Sequence, residues 1–202
     1  MDSEFTELSA SGRSFCFIQA KLQFFAHGLS NLFAQKNNKS LQETLEHPRY
    51  NKFAEVAHKR YSGFLNLPLG SFLSELKLQG DPFYRRFLNR HGDEVYCTFR
   101  MADSPLKAQA GLYLYSHNNE VMYIGRSRDP FGKRVDQGYG KIHPKNCYID
   151  GQSTNCHLNS LIESRSDRIK YFVYPMTSIP DIEACEKILI QNNRPEWNVA
   201  LA

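Results

Sequence analysis

Residues 111 to 134, GLYLYSHNNEVMYIGRSRDPFGKR, constrain the fold more than any other stretch of the chain. Apolar and aromatic residues alternate on both sides of Asn118-Asn119, the pattern of a β-hairpin whose turn needs residues tolerant of positive φ. That pairing sets Tyr113 and Tyr123 near each other on adjacent strands, with Arg134 just beyond. A basic segment follows directly. Residues 126 to 145 carry Arg126, Arg128, Lys133, Arg134, Lys141 and Lys145 against Asp129 and Asp136, which accounts for the whole net charge of +4. A total that small excludes a sequence-blind coat for nucleic acid, but its concentration after the second strand favours a surface facing phosphate. A solvated charged face is the plainer alternative.

The remaining pattern predicts an α+β protein: a small antiparallel sheet flanked by helices, preceded by a mainly helical N-terminal extension. Ile18, Leu22, Phe25, Leu29 and Leu32 recur at alternating spacings of four and three, which predicts an amphipathic helix within residues 14 to 36. Further helices are expected at 49 to 65, 70 to 78 and 82 to 91, the last with Asp81 as cap, Pro82 in its first turn and Gly92 as stop. A strand is expected around Val95, Cys97 and Phe99, and a domain boundary near residue 105, separating residues 1-105 from 106-202. After the hairpin come a short helix around 129 to 137, a polar loop, a helix near 153 to 165, a strand at 169 to 175 and a helix at 180 to 192. Ser178 and Asp181, with Pro180 between them, predict a capping-box start for that last helix.

With 202 residues and 41% apolar side chains, the chain can bury a sizeable core. It has no apolar run of membrane-spanning length, and its start, MDSEFTE, is acidic where a secretory signal would be basic and then apolar, so no membrane and a cytoplasmic address are expected. The five cysteines include no C-x-x-C pair and read as reduced thiols. His143, Cys147, Cys156 and His157 include zinc-ligand types, but they lack the paired short spacing of a zinc site and read as loop polarity.

Gly111-Leu112-Tyr113 and Tyr123-Ile124-Gly125, Arg134 nine residues further on, and EKILIQNNRPEWNV at residues 186 to 199 appear in this order. Together they resemble the GIY-YIG nuclease superfamily over the last 95 or so residues. The resemblance implies a Mg²⁺-dependent endodeoxyribonuclease, with Mn²⁺ as a possible substitute. It assigns Tyr113 as general base or orienter of the attacking water, and Tyr123 as hydrogen-bond partner of the scissile phosphate. Arg134 would stabilise the pentavalent phosphorus, Glu186 would bind the single metal ion, and Asn198 would steady the site. A free tyrosine titrates near about 10, so Tyr113 needs a cationic or metal-bound setting to act as a base near neutrality. Gly111 and Gly125 would allow close backbone approach. Glu183, one turn before Glu186, is the competing carboxylate.

The pattern departs from the family in two ways. Only nine residues separate Tyr113 from Tyr123. The histidine or tyrosine the family often carries four residues after the arginine is replaced by Gly138, with Tyr139 one later. Tyr139 is the candidate for that proton-handling role, with His143 behind it. Arg126, Arg128, Lys133, Lys141, His143, Lys145 and Asn155 are candidate DNA contacts, and Lys59, Arg60, Arg85, Arg86 and Arg90 could grip flanking phosphates.

Within the superfamily the nearest likeness is to small Type II restriction endonucleases. That implies double-stranded DNA as substrate, a homodimer on a palindromic site, and pairing with a DNA methyltransferase that protects host sites. A repair or branched-structure nicking nuclease and a non-catalytic DNA-binding module are the alternatives.

Overall fold

In the computed structural model, which describes residues 4–198, the chain begins with strands rather than a helix. β1 (Phe5–Ala10) and β2 (Arg13–Ala20) form an antiparallel hairpin with register Ala10↔Arg13, closed by Ser11 and Gly12 at φ 50° and 74°. β3 (Leu22–Leu29) follows. The helix expected within 14 to 36 is therefore wrong, and the reason is visible in the residues. Phe15 and Phe17 are buried while Ser14 and Cys16 are exposed, a period of two that the four-three spacing of the larger side chains masks. Phe25, a member of the supposed apolar stripe, is 61% exposed.

Helices α1 (Leu41–Leu45), α2 (Ala54–Arg60) and α3 (Leu69–Leu78) come next. The helix expected at 49 to 65 breaks into α2 and the 3₁₀ turns Asn51–Phe53 and Ser62–Phe64. That expected at 82 to 91 is the 3₁₀ turn Pro82–Phe87, where Asp81 does act as cap, accepting from the Phe83 N–H at 2.9 Å. β4 (Tyr96–Met101) pairs with β3 as a two-stranded ribbon. The motif hairpin is β5 (Gly111–His117) and β6 (Glu120–Ser127), turning through Asn118 and Asn119 at φ 52° and 65°. α4 (Phe131–Arg134), α5 (Ser153–Glu163), β7 (Ile169–Pro175) and α6 (Ile179–Asn193) complete the order. Ser178 stands at the start of α6 with a proline in the first turn, but its side chain makes no capping hydrogen bond, so the capping box is not formed.

Two compact units result, and no boundary between them falls at residue 105. One contains the described residues up to Ala26, Cys97–Lys141 and the described residues from Leu161 on. Its antiparallel sheet has the order β1-β2-β7-β5-β6. Leu112, Leu114, Ile124, Phe15, Phe17 and Phe172 face α6, which buries Ile182, Cys185, Leu189 and Ile190 against them. Each such aliphatic side chain contributes roughly 1.5–3 kcal/mol on burial. The other unit, His27–Tyr96 with Ile142–Ser160, packs short helical turns around an aromatic-rich core that includes Phe33, Tyr50, Phe53, Phe72, Phe87 and Tyr148. The expected helical extension is thus partly sheet, and its helical portion is completed by a later segment. Among the described residues no helix is long and apolar enough to cross a membrane. The first three residues of the acidic start and Val199 lie outside the described residues.

In the second unit the His91 and His157 rings pack with centroids 4.2 Å apart and planes tilted by 35°. Burial holds both below the usual histidine value; Arg90 lowers His91 further, and His91 and then Arg90 lower His157 against the opposing pull of Glu94. The folded protein therefore resists protons that the unfolded chain takes up below about pH 6.5, so stability is full above that pH and falls as pH drops through it. The urea midpoint should decrease between pH ~7.5 and ~5.5, and His157→Phe should flatten that decrease. An unchanged pH slope in the variant would remove the pair as its cause.

Candidate active site

Strand alternation sorts the motif residues onto two faces. Leu112 and Leu114 point to the α6 core, and Tyr113 and Tyr115 to the other side, where Tyr171 of β7 lies 5.7 Å from Tyr113 and 4.9 Å from Tyr115 by ring centroids. On β6 the residue opposite Tyr113 is Gly125, and the one opposite Tyr115 is Tyr123. A Cβ at Gly125 would lie 2.6 Å from the Tyr113 ring carbon and hydroxyl and 2.7 Å from the Tyr123 ring. Gly125 thus makes room for side chains, which is how the Tyr113 and Tyr123 rings come to stack at 6.1 Å. Gly111 allows close backbone approach as expected: its φ is 142°, and a Cβ there would meet the Tyr174 carbonyl oxygen at 2.3 Å.

The register of Tyr139 follows from local backbone geometry. After α4 the chain continues as a π-helical turn, Val135–Tyr139, in which the Gly140 N–H donates to the Val135 carbonyl at 2.7 Å. A π turn absorbs one extra residue without changing the face on which the next side chain emerges. Tyr139, five residues after Arg134, consequently accepts from Arg134 Nη2 at 2.5 Å and shares a 2.8 Å hydrogen bond with the Tyr113 hydroxyl. The guanidinium carbon sits 4.5 Å over the Tyr139 ring. The turn is fastened to β4: the Phe99 N–H donates to the Gly140 carbonyl at 2.9 Å, and the Met101 N–H to Asp136 Oδ1 at 2.9 Å.

Electrostatics assign the protons. Burial pushes the Tyr113 hydroxyl well above 10, Tyr123 and Tyr139 push it further, and Arg134 opposes without prevailing. Burial likewise raises Tyr123. Burial alone would lower Arg134, but Tyr113 and Tyr139 outweigh it, and the guanidinium stays charged. With Tyr113 protonated near neutrality, its place in the chain suits orientation of a ligand better than proton abstraction.

Tyr113, Tyr123, Arg126, Arg128, Arg134 and Glu186 line one open cleft of about 380 Å³. Glu186 Oε2 lies 2.9 Å from Arg126 Nη1, and its side chain is 16% exposed. Burial raises its pKa, against the pull of Arg126. Glu183 pairs with Arg128, and Lys133 with Asp129 at 2.8 Å. Among the described residues no three His, Cys, Asp or Glu side chains group as a metal cage. A half-buried carboxylate on a rigid helix at an open cleft still fits a hard cation that keeps most of its waters.

Asn198 belongs to the edge of the sheet. Its side chain donates to the Ile124 carbonyl at 2.7 Å and accepts from the Ile124 N–H at 2.9 Å, while the Trp197 N–H donates to Met122. It therefore positions β6 between Tyr123 and Gly125. Lys141 is exposed in the same unit. His143, Lys145 and Asn155 belong to the other unit. His143 and Lys145 are exposed there, but Asn155 is 4% exposed with its amide donating to Gln152 at 2.8 Å, which leaves it poorly placed to read a base edge. Arg60, Arg85 and Arg86 stack on Tyr61, Tyr84 and Phe53. Sequence reasoning missed Tyr115 and Tyr171 as the bed beneath Tyr113, although Tyr115 has the period-two signal.

Gly125→Ala should destabilise the first unit by roughly 1–3 kcal/mol through overpacking against Tyr113. Asn198→Leu should leave the two Ile124 peptide groups without partners, at about 1–3 kcal/mol each. Urea unfolding of both variants measures these losses, and wild-type midpoints would contradict the packing and edge-pairing accounts. The chain matches no protein-family model, no curated protein and no solved structure, so its chemistry is read from the cleft itself.

Proposed function

We propose that this cleft hydrolyses phosphodiester bonds of double-stranded DNA, as a nuclease of the GIY-YIG type. The observation that carries the reading is the hydrogen-bonded chain from Tyr113 through Tyr139 to Arg134, opening on the same cleft as Glu186. Phosphodiester hydrolysis needs an oriented water, a route for its proton and neutralisation of charge on the phosphoryl oxygens. In this reading the protonated Tyr113 and Tyr123 hydroxyls orient water and phosphate. Tyr139, hydrogen-bonded to both Tyr113 and Arg134, holds these two groups in place, and the water's proton leaves to solvent through the open cleft. Arg134 keeps its charge and stabilises the pentavalent phosphorus. Glu186 would hold Mg²⁺ or Mn²⁺, which when bound supplies further neutralisation of the phosphoryl oxygens. Arg126, Arg128 and Lys133 supply phosphate contacts around the cleft. The finer form of the proposal is a site-specific Type II restriction endonuclease, acting as a homodimer and paired with a protecting methyltransferase.

Digestion of unmethylated phage DNA with Mg²⁺ tests the reading. Wild type should give discrete fragments and Glu186→Gln none. Nicking confined to branched or damaged DNA would move the protein to repair, and failure of wild type to cut any DNA would sink the nuclease reading. Within an active enzyme, Tyr139→Phe should cost about 10²-fold in kcat, the order for groups left misplaced at a site, since it removes the hydrogen bonds that hold Tyr113 and Arg134. Deletion of Gly138, which returns Tyr139 to four residues after Arg134, should keep the rate within about tenfold. Equal losses from the two changes would contradict the account of the π turn.

A further inference from the structure

Arg126 is the last residue but one of β6 and Arg128 follows directly after the strand. Glu183 and Glu186 are three apart on α6, so they share one helix face. The two arginines and the two carboxylates pair as a two-rung ladder, Arg128 with Glu183 and Arg126 with Glu186. The outer rung has exposed partners, at 58% and 37%, and contributes little. The inner rung, at 39% and 16%, lies in the cleft that also holds Tyr113 and Arg134. It joins the carboxylate that would take the metal to a guanidinium suited to phosphate, so each group occupies the other's ligand position.

Resting on the nuclease reading, we propose that the Arg126–Glu186 pair is an internal latch that couples metal binding to DNA binding. A phosphodiester anion that takes Arg126 releases Glu186 for the cation, and a cation that takes Glu186 releases Arg126 for the phosphate. Each ligand removes the competitor of the other, and thermodynamic linkage makes the effect reciprocal. Arg126 is thus a positioning residue for Glu186 in the free protein and a phosphate ligand in the complex. The latch suppresses metal loading away from DNA.

The test is Mn²⁺ affinity of the full chain, read from the electron paramagnetic resonance signal of free Mn²⁺, with and without a short mixed-sequence duplex. In wild type the duplex should tighten Mn²⁺ binding by about 5- to 150-fold, the usual range of coupling between sites. Arg126→Gln should bind Mn²⁺ more tightly than wild type without DNA, and the duplex should then add little. Arg126→Lys, which keeps the charge beside Glu186, should fall between the two and covers the case in which Arg126→Gln fails to fold. Equal or weaker Mn²⁺ binding by folded Arg126→Gln, or equal tightening by DNA in both proteins, overturns the latch. If Glu186→Gln binds Mn²⁺ as wild type does, the metal role of Glu186 in the nuclease reading falls too. If Glu186→Gln loses Mn²⁺ while Arg126→Gln behaves as wild type, the latch alone falls.

Discussion

The cleft depends on a tyrosine ring lying over a glycine. Tyr113 can direct its hydroxyl toward Tyr139 because the residue opposite it on β6 has no side chain, and any Cβ there would overlap the ring. From that contact the rest follows in order. The Tyr123 ring stacks beside it, the Tyr115 and Tyr171 rings close the bed below, and the buried hydroxyl needs a polar partner. Tyr139 supplies one and is itself held by Arg134. A buried polar group without a partner would cost several kcal/mol on the order given by transfer into an apolar phase, so the arrangement constrains itself. The sheet thus presents an apolar face to α6 and a phenolic face to the cleft.

The π turn sets the direction of Tyr139. In a regular helix a side chain five residues after Arg134 would stand about 100° round from one four residues after it, away from Arg134. The extra residue is taken up locally, at the expense of hydrogen-bond geometry along the turn. Two anchors to β4 and the Lys107–Asp136 ion pair at 3.1 Å offset that loss.

Much of the first unit was legible because its signals are local. The Asn118-Asn119 turn, the alternation around it, β7 and α6 all follow from short-range pattern and composition. The N-terminal hairpin was not, because large residues at 18, 22, 25, 29 and 32 imitate a helical stripe while the actual burial follows Phe15 and Phe17. Its strands also gain their stability from β7, more than 150 residues away. The position of Tyr139 was legible as a candidate and its geometry was not, since no sequence period announces a single π turn. The contributions of Tyr115 and Tyr171 depend on tertiary neighbours in the same way, as does the burial of Asn155.

Asn198 closes the outer edge of β6 with a side-chain amide that carries the same donor and acceptor as a peptide unit. A strand edge left open is a template for pairing with another chain. Here the cover comes from the far end of the chain, and the unit it completes is assembled from three separate segments. During synthesis the aromatic unit is complete once Ser160 has emerged, while β6 keeps an exposed edge until Asn198 follows. The order of emergence therefore lets one unit settle first and leaves the cleft-bearing sheet as the part of the nascent chain most in need of protection from neighbours.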